Sequence, residues 1–230
     1  MTIKLGVPSK GRLMEETFDW FAARGMRLSR TGSDREYAGR VEGVTGVSLQ
    51  LLSAGEIPRE LAEGRLHFGV TGLDLVSEKI ALWDQKLAAV RPLGFGHADL
   101  ILAVPKAWVD VTSLDDLDAV AADFRRVHGF RLRIATKYHR LVRDYLREQG
   151  VADHQLIDSQ GATEGTVRNN TAEAIADITS SGATLEANHL KILTDPPILR
   201  SQATLFQSRT AQVPASLSTV VERILERAKS

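Results

Sequence analysis

The chain has 230 residues, and 43% of them are hydrophobic, so it can bury a large core in one large domain or two small ones. Its 29 Lys and Arg residues balance 29 Asp and Glu residues, so no overall electrostatic field recruits nucleic acid or an anionic membrane. The sequence contains no cysteine, which excludes disulfides, thiolate zinc sites and a cysteine nucleophile. Its six histidines lie apart without metal-ligand spacing, which disfavours a transition-metal enzyme.

Strand-like and helical patterns alternate along most of the chain. The strand-like segments, in order, are TIKLGV, VSLQLLS, LHFGVTG, ADLILAVP, FRLRIAT, AIADI and LKILT. Ser113 and Asp116 have the spacing of a capping box, which predicts a helix N-terminus there. Residues 137–149 repeat apolar side chains at helical spacing, which predicts an amphipathic helix. The alternation predicts an α/β fold, in which ligands bind at the carboxyl ends of strands.

The first strand is followed by PSKGRL, which places Lys10 and Arg12 on a turn that opens a helix. Two cations there are suited to a phosphate or to a phosphate leaving group. The alternative is a pair of solvated first-turn cations. Cations at a helix start oppose the helix dipole, which favours the binding role.

A second small-residue segment, GVTGLD, ends a later strand and contains Thr71, Gly72 and Asp74. Taken alone, this segment is more typical of a structural turn than of a binding loop. No G-x-x-x-x-G-K-[ST] sequence occurs, so the chain is not a P-loop enzyme.

The segment DITSSGATLEAN, residues 177–188, places a carboxylate before four hydroxyl side chains and one glycine. Such a turn can direct backbone N–H groups and hydroxyls into one anion-binding cradle. Asp177 would repel a phosphate, so it is better suited to neutral hydroxyls such as a ribose diol. The alternative is a solvated turn in which Ser and Thr cap a helix. These residues alone leave both interpretations open.

The N-terminal segment MTIKLGVPSKGRLMEE has few apolar residues before its charges begin, unlike a signal peptide. No apolar run in the sequence is long enough to cross a bilayer. These observations predict a cytoplasmic protein without a membrane or nucleic-acid partner.

With these loops identified, the chain resembles the short form of ATP phosphoribosyltransferase (the HisG family), the first enzyme of histidine biosynthesis. The segments PSKGRL, GVTGLD, RIATKYHRLVRDYL, GATE and DITSSGATLEAN follow the motifs of that family in the same order. The resemblance implies a two-lobed fold like that of type II periplasmic binding proteins, with the active site in the inter-lobe cleft. Residues 1–102 with 186–230 would form lobe I, and 103–185 would form lobe II, which binds phosphoribosyl pyrophosphate (PRPP).

The resemblance also implies a reaction and partners. The enzyme would transfer the phosphoribosyl group of PRPP to N1 of ATP, giving phosphoribosyl-ATP and pyrophosphate, with Mg²⁺ carried by the pyrophosphate and not by protein ligands. Short forms work with a regulatory subunit that resembles histidyl-tRNA synthetase, so self-association and a hetero-oligomer are implied. The apolar face of the last helix would serve assembly or pack on its own lobe, and the second is favoured.

Site residues follow from the matching motifs. The resemblance gives catalytic roles to Lys10, Arg12, Glu164 and Asp177. The substrate-binding residues would be Thr71, Gly72, Asp74, Glu173, Thr179, Ser180, Ser181, Gly182, Ala183, Thr184 and Leu185, with Glu164 and Glu173 near the Asp177 loop.

The sequence departs from the family pattern at several positions. Val167 replaces a proline, Asn170 a glycine, and Glu173 an aspartate. Gly55 and Glu56 stand where a basic residue and an aspartate are common, and His139 stands where proline often follows ATKY. The alternative function is therefore a non-catalytic small-anion binding module, or a silent subunit, of the same fold.

Overall fold

The computed structural model of the chain describes residues 2–31 and 38–229, and the chain divides into two compact units. Unit 1 comprises Met1–His97 and Ser201–Ser230, and unit 2 comprises Ala98–Arg200. Each unit combines one sheet with helices. The predicted α/β fold with two units is confirmed.

The unit boundaries differ from those expected from the sequence, which fell after residues 102 and 185. The strand Ala98–Pro105 pairs with Ala174–Thr179 on one side and with Leu190–Ile192 on the other. These three strands share one sheet, so the chain leaves unit 1 before residue 98 and returns after residue 200.

The helices and strands are numbered in chain order. The first part of unit 1 contains β1 (Ile3–Pro8), α1 (Gly11–Ala22), β2 (Arg27–Arg30), β3 (Ala38–Glu42), β4 (Val47–Leu52), α2 (Ile57–Ala62), β5 (Phe68–Gly72), α3 (Leu73–Lys79), α4 (Trp83–Lys86) and β6 (Leu87–Pro92). Unit 2 contains β7 (Ala98–Pro105), α5 (Leu114–His128), β8 (Leu132–Thr136), α6 (His139–Glu148), β9 (His154–Asp158), α7 (Gly165–Arg168), β10 (Ala174–Thr179), α8 (Ala183–Ala187), β11 (Leu190–Ile192) and β12 (Leu199–Ser201). The chain then completes unit 1 with β13 (Ala203–Ser208), a 3₁₀ turn (Ala215–Leu217) and α9 (Ser218–Lys229).

The sheet of unit 1 has the strand order β2-β3-β4-β1-β5-β13-β6. β1 runs parallel to β4, from Ile3 opposite Val47 to Pro8 opposite Leu52, and it also runs parallel to β5. β1 and β5 are almost wholly buried, as expected for parallel strands that helices cover. The loops after β4, β1 and β5 therefore lie along one edge of this sheet.

Apolar clusters form the core of unit 1. One cluster includes Phe21 of α1 and Ile224 of α9, and another includes Ile57 of α2 and Val76 of α3. Each fully buried side chain of this size contributes about 1.5–3 kcal/mol to folding. Since Val221 and Ile224 pack into the core of their own unit, the favoured interpretation of the last helix is confirmed.

The sheet of unit 2 has the strand order β11-β7-β10-β8-β9, and β12 also pairs with β7. β10, β8 and β9 are parallel, whereas β7 is antiparallel to β10. Thr136 at the end of β8 lies opposite both Ala176 of β10 and Asp158 of β9. The loops that follow these three strands therefore leave the sheet at one edge.

Two helices of unit 2 form where the sequence predicts them. Ser113 caps α5, because its Oγ accepts the Asp116 N–H at 3.2 Å while Asp116 Oδ2 accepts the Ser113 N–H at 2.9 Å. Hydrogen bonds from Thr112 and Ser113 lower the pKa of Asp116. α6 lies within the predicted helical segment and buries Val142 and Leu146. The capping box and the amphipathic helix are confirmed.

None of the helices within residues 2–31 and 38–229 is both long and apolar enough to cross a bilayer. Within the same residues, the His, Asp and Glu side chains form no group of three that would hold a metal ion.

Candidate functional site

The candidate site of unit 2 is a hollow at the carboxyl edge of its parallel strands. The hollow has a volume of about 270 Å³. Its lining residues are Glu164, Ile175, Asp177, Ile178, Thr179, Ser180, Ser181, Thr184 and Leu185. We call it the Asp177 hollow. The position agrees with the rule that α/β proteins bind ligands at the carboxyl ends of their strands.

The turn between β10 and α8 forms one wall of the hollow. Gly182 has φ +74°, a left-handed conformation that glycine adopts without steric cost, and it starts the helix. Its N–H donates to Thr179 Oγ1 at 2.9 Å, and the Ala183 N–H donates to Ser181 Oγ at 3.4 Å. Two hydroxyls thus stabilise the turn, while those of Ser180 and Thr184 also line the hollow.

Two carboxylates from different loops meet at this hollow. Asp177 lies near the end of β10, and Glu164 lies in the loop that follows β9. Both side chains are half-buried, and Asp177 Oδ1 accepts the N–H of Ile178 at 2.8 Å. The sequence predicted that Glu164 lies near the Asp177 loop, and the structure places the two together. Carboxylates beside hydroxyls and backbone amides are suited to a ligand that combines sugar hydroxyls with phosphate.

Buried hydroxyls hold the loop that carries Glu164. Ser159 Oγ donates to Thr163 Oγ1 at 3.0 Å, and both side chains are buried. The Ser159 N–H donates to the Thr136 carbonyl at 3.2 Å, which fastens the loop to the end of β8. Thr166 Oγ1 donates to the Thr163 carbonyl at 2.6 Å. This network gives Glu164 a defined position beside the hollow.

The short segment between β8 and α6 contains two side chains that sequence reasoning left without a role. Lys137 Nζ donates to the Gly161 carbonyl at 2.7 Å, so it contacts the loop after β9. The position of Lys137 directly after a buried strand is the feature of the sequence that could have indicated a role for it. His139 begins α6, where proline is also favoured, and its Nε2 lies 3.3 Å from Asp158 Oδ1. α6 therefore begins at this position with histidine in place of the proline that the family resemblance led us to expect.

Glu173 lies away from the Asp177 hollow, at the opposite end of β10. Its carboxylate accepts the Arg133 N–H at 2.8 Å, Nε at 3.1 Å and Nη2 at 2.5 Å. The hydrogen bonds to Glu173 raise the pKa of Arg133. β10 separates Glu173 from the Asp177 turn, and at about 3.3 Å per residue this is well over 10 Å. The structure thus gives Glu173 a structural partner and does not bring it into the hollow.

The neighbouring departures from the family pattern are accommodated locally. Asn170 has φ +54°, the left-handed region in which asparagine is among the best tolerated non-glycine residues. Its carbonyl accepts Arg133 Nη2 at 3.0 Å. Val167 packs against a buried cluster of unit 2 that includes Leu185. The replacements of glycine and proline thus keep this loop folded.

In unit 1, Lys10 and Arg12 lie after β1, at the edge shared with the loops after β4 and β5. The side chain of Lys10 is exposed at the cap position of α1. Arg12 is 86% exposed, and its Nε lies 3.0 Å from Glu16 Oε1. Such an exposed pair contributes little to stability, so Arg12 can bind another anion at small cost.

The turn after β5 uses its polar atoms within unit 1. Thr71 is buried, and its hydroxyl donates to the Ala54 carbonyl at 2.8 Å. Asp74 is only 5% exposed; its Oδ1 accepts the Ser201 hydroxyl at 2.7 Å, and its N–H donates to Ser201 Oγ at 3.0 Å. A Cβ on Gly72 would lie 2.2 Å from Asp74 Oδ1, so a larger residue there would have to displace this buried carboxylate. These contacts support the structural interpretation of this turn.

A larger hollow of about 580 Å³ lies between α2 and α3 of unit 1. Its wall includes Arg59 and Glu63, which pair at 2.8 Å, and Glu60, which pairs with Arg65 at 2.6 Å. Three charged residues of this wall, Arg59, Glu60 and Glu63, are therefore already in ion pairs.

Comparison with known proteins relates the chain to one enzyme family. The family model described as HisG, ATP phosphoribosyltransferase, matches residues 53–229. The chain is 71% identical over 211 residues to the ATP phosphoribosyltransferase of Cereibacter sphaeroides, covering 92% of this chain and 89% of that protein.

Solved structures with a similar fold fall into two groups. The ATP phosphoribosyl transferase (HisG:HisZ) complex from Thermotoga maritima matches with a TM-score of 0.72 at 22% identity, covering 99% of this chain and 97% of that chain. A histidine kinase sensor domain with similarity to periplasmic binding proteins matches with a TM-score of 0.54 at 12% identity, covering 99% and 89%. At these identities the matches concern the fold alone. They confirm the predicted periplasmic-binding-protein-like fold.

Proposed function

The chain belongs to the HisG family of ATP phosphoribosyltransferases, and on this premise we propose that it transfers the phosphoribosyl group of PRPP to N1 of ATP. The products are phosphoribosyl-ATP and pyrophosphate, in the first step of histidine biosynthesis. The observation that carries the proposal at the level of residues is the meeting of Glu164, Asp177 and several hydroxyls in one hollow.

In this proposal the Asp177 hollow binds PRPP. The turn of residues 179–184 supplies hydroxyls and amides to the 5′-phosphate, and Asp177 accepts hydrogen bonds from ribose hydroxyls. Leu185 is buried beneath the turn and fixes it to unit 2. Glu173 is assigned a structural role, because Arg133 already binds its carboxylate.

The chemistry requires little acid–base catalysis. Adenine N1 has a free lone pair that forms a bond to C1 of the ribose, while the bond from C1 to the pyrophosphate oxygen breaks and its electron pair leaves with pyrophosphate. Positive charge develops on the ribose ring, where the carboxylates of Glu164 and Asp177 stabilise it. Lys10 and Arg12 of unit 1 are proposed to neutralise charge on the nucleotide and on the pyrophosphate.

Mg²⁺ is proposed as part of the substrate complex. Mg²⁺ usually takes one or two carboxylates together with substrate phosphates, and Glu164 and Asp177 are carboxylates of the right kind. When bound, the ion neutralises the leaving pyrophosphate. Removing Mg²⁺ with a chelator is expected to abolish turnover, and restoring it is expected to return activity.

The partner and the location are also proposals. A solved relative of the same fold is described as a HisG:HisZ complex, which supports a hetero-oligomer with a regulatory subunit for this chain as well. Co-purification of this chain with such a subunit, followed by sizing, tests the assembly. A biosynthetic reaction that consumes ATP supports a cytoplasmic location, which cell fractionation tests.

The first experiment is a calorimetric titration of PRPP with Mg²⁺ into the wild-type chain and the Asp177→Asn variant. Loss of a charge-assisted hydrogen bond to the ribose is expected to weaken binding by about ten- to a hundred-fold. Thr184→Ala is expected to weaken binding as well. Asp123→Asn is the matched control, because Asp123 lies exposed on α5 beside Arg126 and outside the hollow.

Turnover of ATP and PRPP, with and without a regulatory subunit, completes the test. Phosphoribosyl-ATP formation that Asp177→Asn suppresses and Asp123→Asn does not would support the enzyme. Saturable PRPP binding without turnover in either condition would favour the alternative, a silent or purely binding member of the fold. Equal binding by wild type and Asp177→Asn would refute the assignment of the hollow.

A further inference from the structure

Lys137 lies at the carboxyl edge of the unit 2 sheet, where the Asp177 hollow also lies. It follows the last residue of β8, and β8 lies between β10 and β9. The hollow takes Asp177 from β10 and Glu164 from the loop after β9, so its walls stand on either side of the end of β8. The sheet order therefore places the backbone of Lys137 between the strand that carries Asp177 and the strand that precedes the Glu164 loop, while its side chain contacts Gly161 and is not among the residues that line the hollow.

The strand register brings Lys137 close to Asp177. Thr136 of β8 lies opposite Ala176 of β10, and this is the last pair between the two strands. The residues that follow them, Lys137 and Asp177, therefore lie side by side where the pairing ends. Neighbouring strands lie about 4.8 Å apart. An ammonium group on the flexible four-carbon stem of lysine therefore reaches the hollow around Asp177.

The charge of the hollow calls for a cation. Glu164 and Asp177 contribute two negative charges, and the hydroxyls and amides of the turn are neutral. In the described loops at this edge, residues 137–139, 159–164 and 180–184, Lys137 is the one Lys or Arg. A ligand that carries both a 5′-phosphate and a pyrophosphate adds several negative charges. Mg²⁺, Lys10 and Arg12 are proposed to offset part of them, and the neutral donors of the turn in unit 2 bind the phosphate without offsetting the rest.

The present partner of Lys137 is one that a phosphate can replace. Its Nζ donates to the Gly161 carbonyl at 2.7 Å, and the side chain is exposed. A phosphate oxygen adds the attraction between opposite charges to this hydrogen bond, which the neutral Gly161 carbonyl does not offer. Gly161 belongs to the loop that carries Glu164, so the ammonium is already held beside the hollow.

We propose that Lys137 is a substrate-binding residue that exchanges the Gly161 carbonyl for a phosphate oxygen of PRPP. This inference rests on the proposed function of the hollow. The phosphate is either the 5′-phosphate or the pyrophosphate, since both offer the same oxygen chemistry to an ammonium group.

The test compares PRPP titrations of wild type, Lys137→Gln and Lys137→Arg in the presence of Mg²⁺. Glutamine keeps an N–H donor for the Gly161 carbonyl but removes the charge, so it separates ligand binding from support of the loop. Lys137→Gln is expected to weaken PRPP binding by about ten- to a hundred-fold, and Lys137→Arg is expected to recover most of it. The loss is expected to shrink at high salt.

Lys191→Gln is the matched control. Lys191 is on β11, and its Nζ also donates to a backbone carbonyl, that of Val109 at 3.2 Å. β7 separates β11 from β10, whereas Lys137 follows β8, which pairs with β10 directly, so PRPP binding is expected to stay within about two-fold of wild type in Lys191→Gln.

Titrations of ribose 5-phosphate and of pyrophosphate then identify the phosphate, since only the ligand that Lys137 contacts should lose affinity in Lys137→Gln. Unchanged PRPP affinity in Lys137→Gln would overturn the inference. So would equal losses in Lys137→Gln and Lys137→Arg accompanied by a lower unfolding temperature, which would indicate a structural role. Absence of PRPP binding by the wild-type chain would instead overturn the proposed function.

Discussion

Glu173 provides the sharpest test of the division between binding residues and structural residues. The family resemblance places it beside the substrate, whereas the structure pairs it with Arg133. The pair is partly buried, with 13% of the Glu173 side chain and 29% of the Arg133 side chain exposed. Glu173→Gln keeps the size of the side chain and removes the charge that accepts three Arg133 donors.

The expected loss of stability follows from this geometry. Removing one partner of a fully buried ion pair costs about 3–5 kcal/mol, whereas an exposed pair is worth about 0–1 kcal/mol. Since the Glu173–Arg133 pair is mostly but not wholly shielded, Glu173→Gln should lower the free energy of unfolding by about 2 kcal/mol. For a chain of this length such a loss lowers the unfolding temperature by roughly 4–8 °C.

The assay combines thermal unfolding with a PRPP titration. Glu173→Gln is expected to unfold at lower temperature while binding PRPP within about two-fold of wild type, and Asp177→Asn is expected to show the reverse. Asp123→Asn removes one partner of an exposed pair with Arg126 and should change neither quantity. A Glu173→Gln variant that unfolds like wild type but loses PRPP affinity would show that Glu173 belongs to the site.

Substitutions at three further positions test local features of both units. Asn170→Ala should lower the free energy of unfolding by about 1 kcal/mol, because the left-handed backbone at φ +54° disfavours alanine, while Asn170→Gly should change it by less than about 1 kcal/mol in urea unfolding. Gly72→Ala should destabilise unit 1 by at least about 2 kcal/mol in urea unfolding, because the new Cβ displaces the buried carboxylate of Asp74. Hydrogen bonds lower the pKa of Asp116 in the folded chain. The ionised carboxylate therefore contributes its full stabilisation above pH about 4, near the pKa of an unfolded aspartate, and this contribution is lost as the pH falls further. Asp116→Asn should therefore reduce stability at pH 7 and flatten its decline toward pH 3, as urea midpoints at the two pH values would show.

Local sequence patterns predicted the parts of the chain that depend on neighbours along the sequence. The capping box at Ser113 and the helical stripe after Lys137 need only spacings of three and four residues, and both elements form as expected. The turn after Asp177 was also visible, because a glycine among hydroxyl residues after a buried strand has few other structures open to it. Whether its hydroxyls would cap the helix or bind a ligand was not decided by the sequence. In the structure the hydroxyls of Thr179 and Ser181 accept backbone N–H groups of the turn, no side chain caps the helix at Gly182, and the hollow leaves room for a ligand.

Contacts between distant segments were beyond the reach of these patterns. Arg133 and Glu173 are 40 residues apart, and they meet because β8 and β10 pair in a particular register. Asp74 and Ser201 are 127 residues apart, and their hydrogen bond depends on the return of the chain to unit 1. A charge pattern cannot distinguish a carboxylate that faces a ligand from one that an arginine already binds. For this reason the family resemblance led us to expect both Glu164 and Glu173 near the Asp177 loop, whereas the structure places only Glu164 in the hollow and Glu173 at the opposite end of β10.

In the loop after β4, a residue from another helix supplies the positive charge that the loop itself lacks. Gly55 stands where the family resemblance led us to expect a basic residue. From the sequence alone, this position therefore lacks the expected positive charge. The structure places Lys79 of α3 there, with Nζ donating to the Gly55 carbonyl at 2.7 Å. A Cβ on Gly55 would lie 3.1 Å from that Nζ, so a longer side chain at position 55 would require the ammonium group to move. A positive charge therefore remains beside this loop although it comes from a different element of the chain.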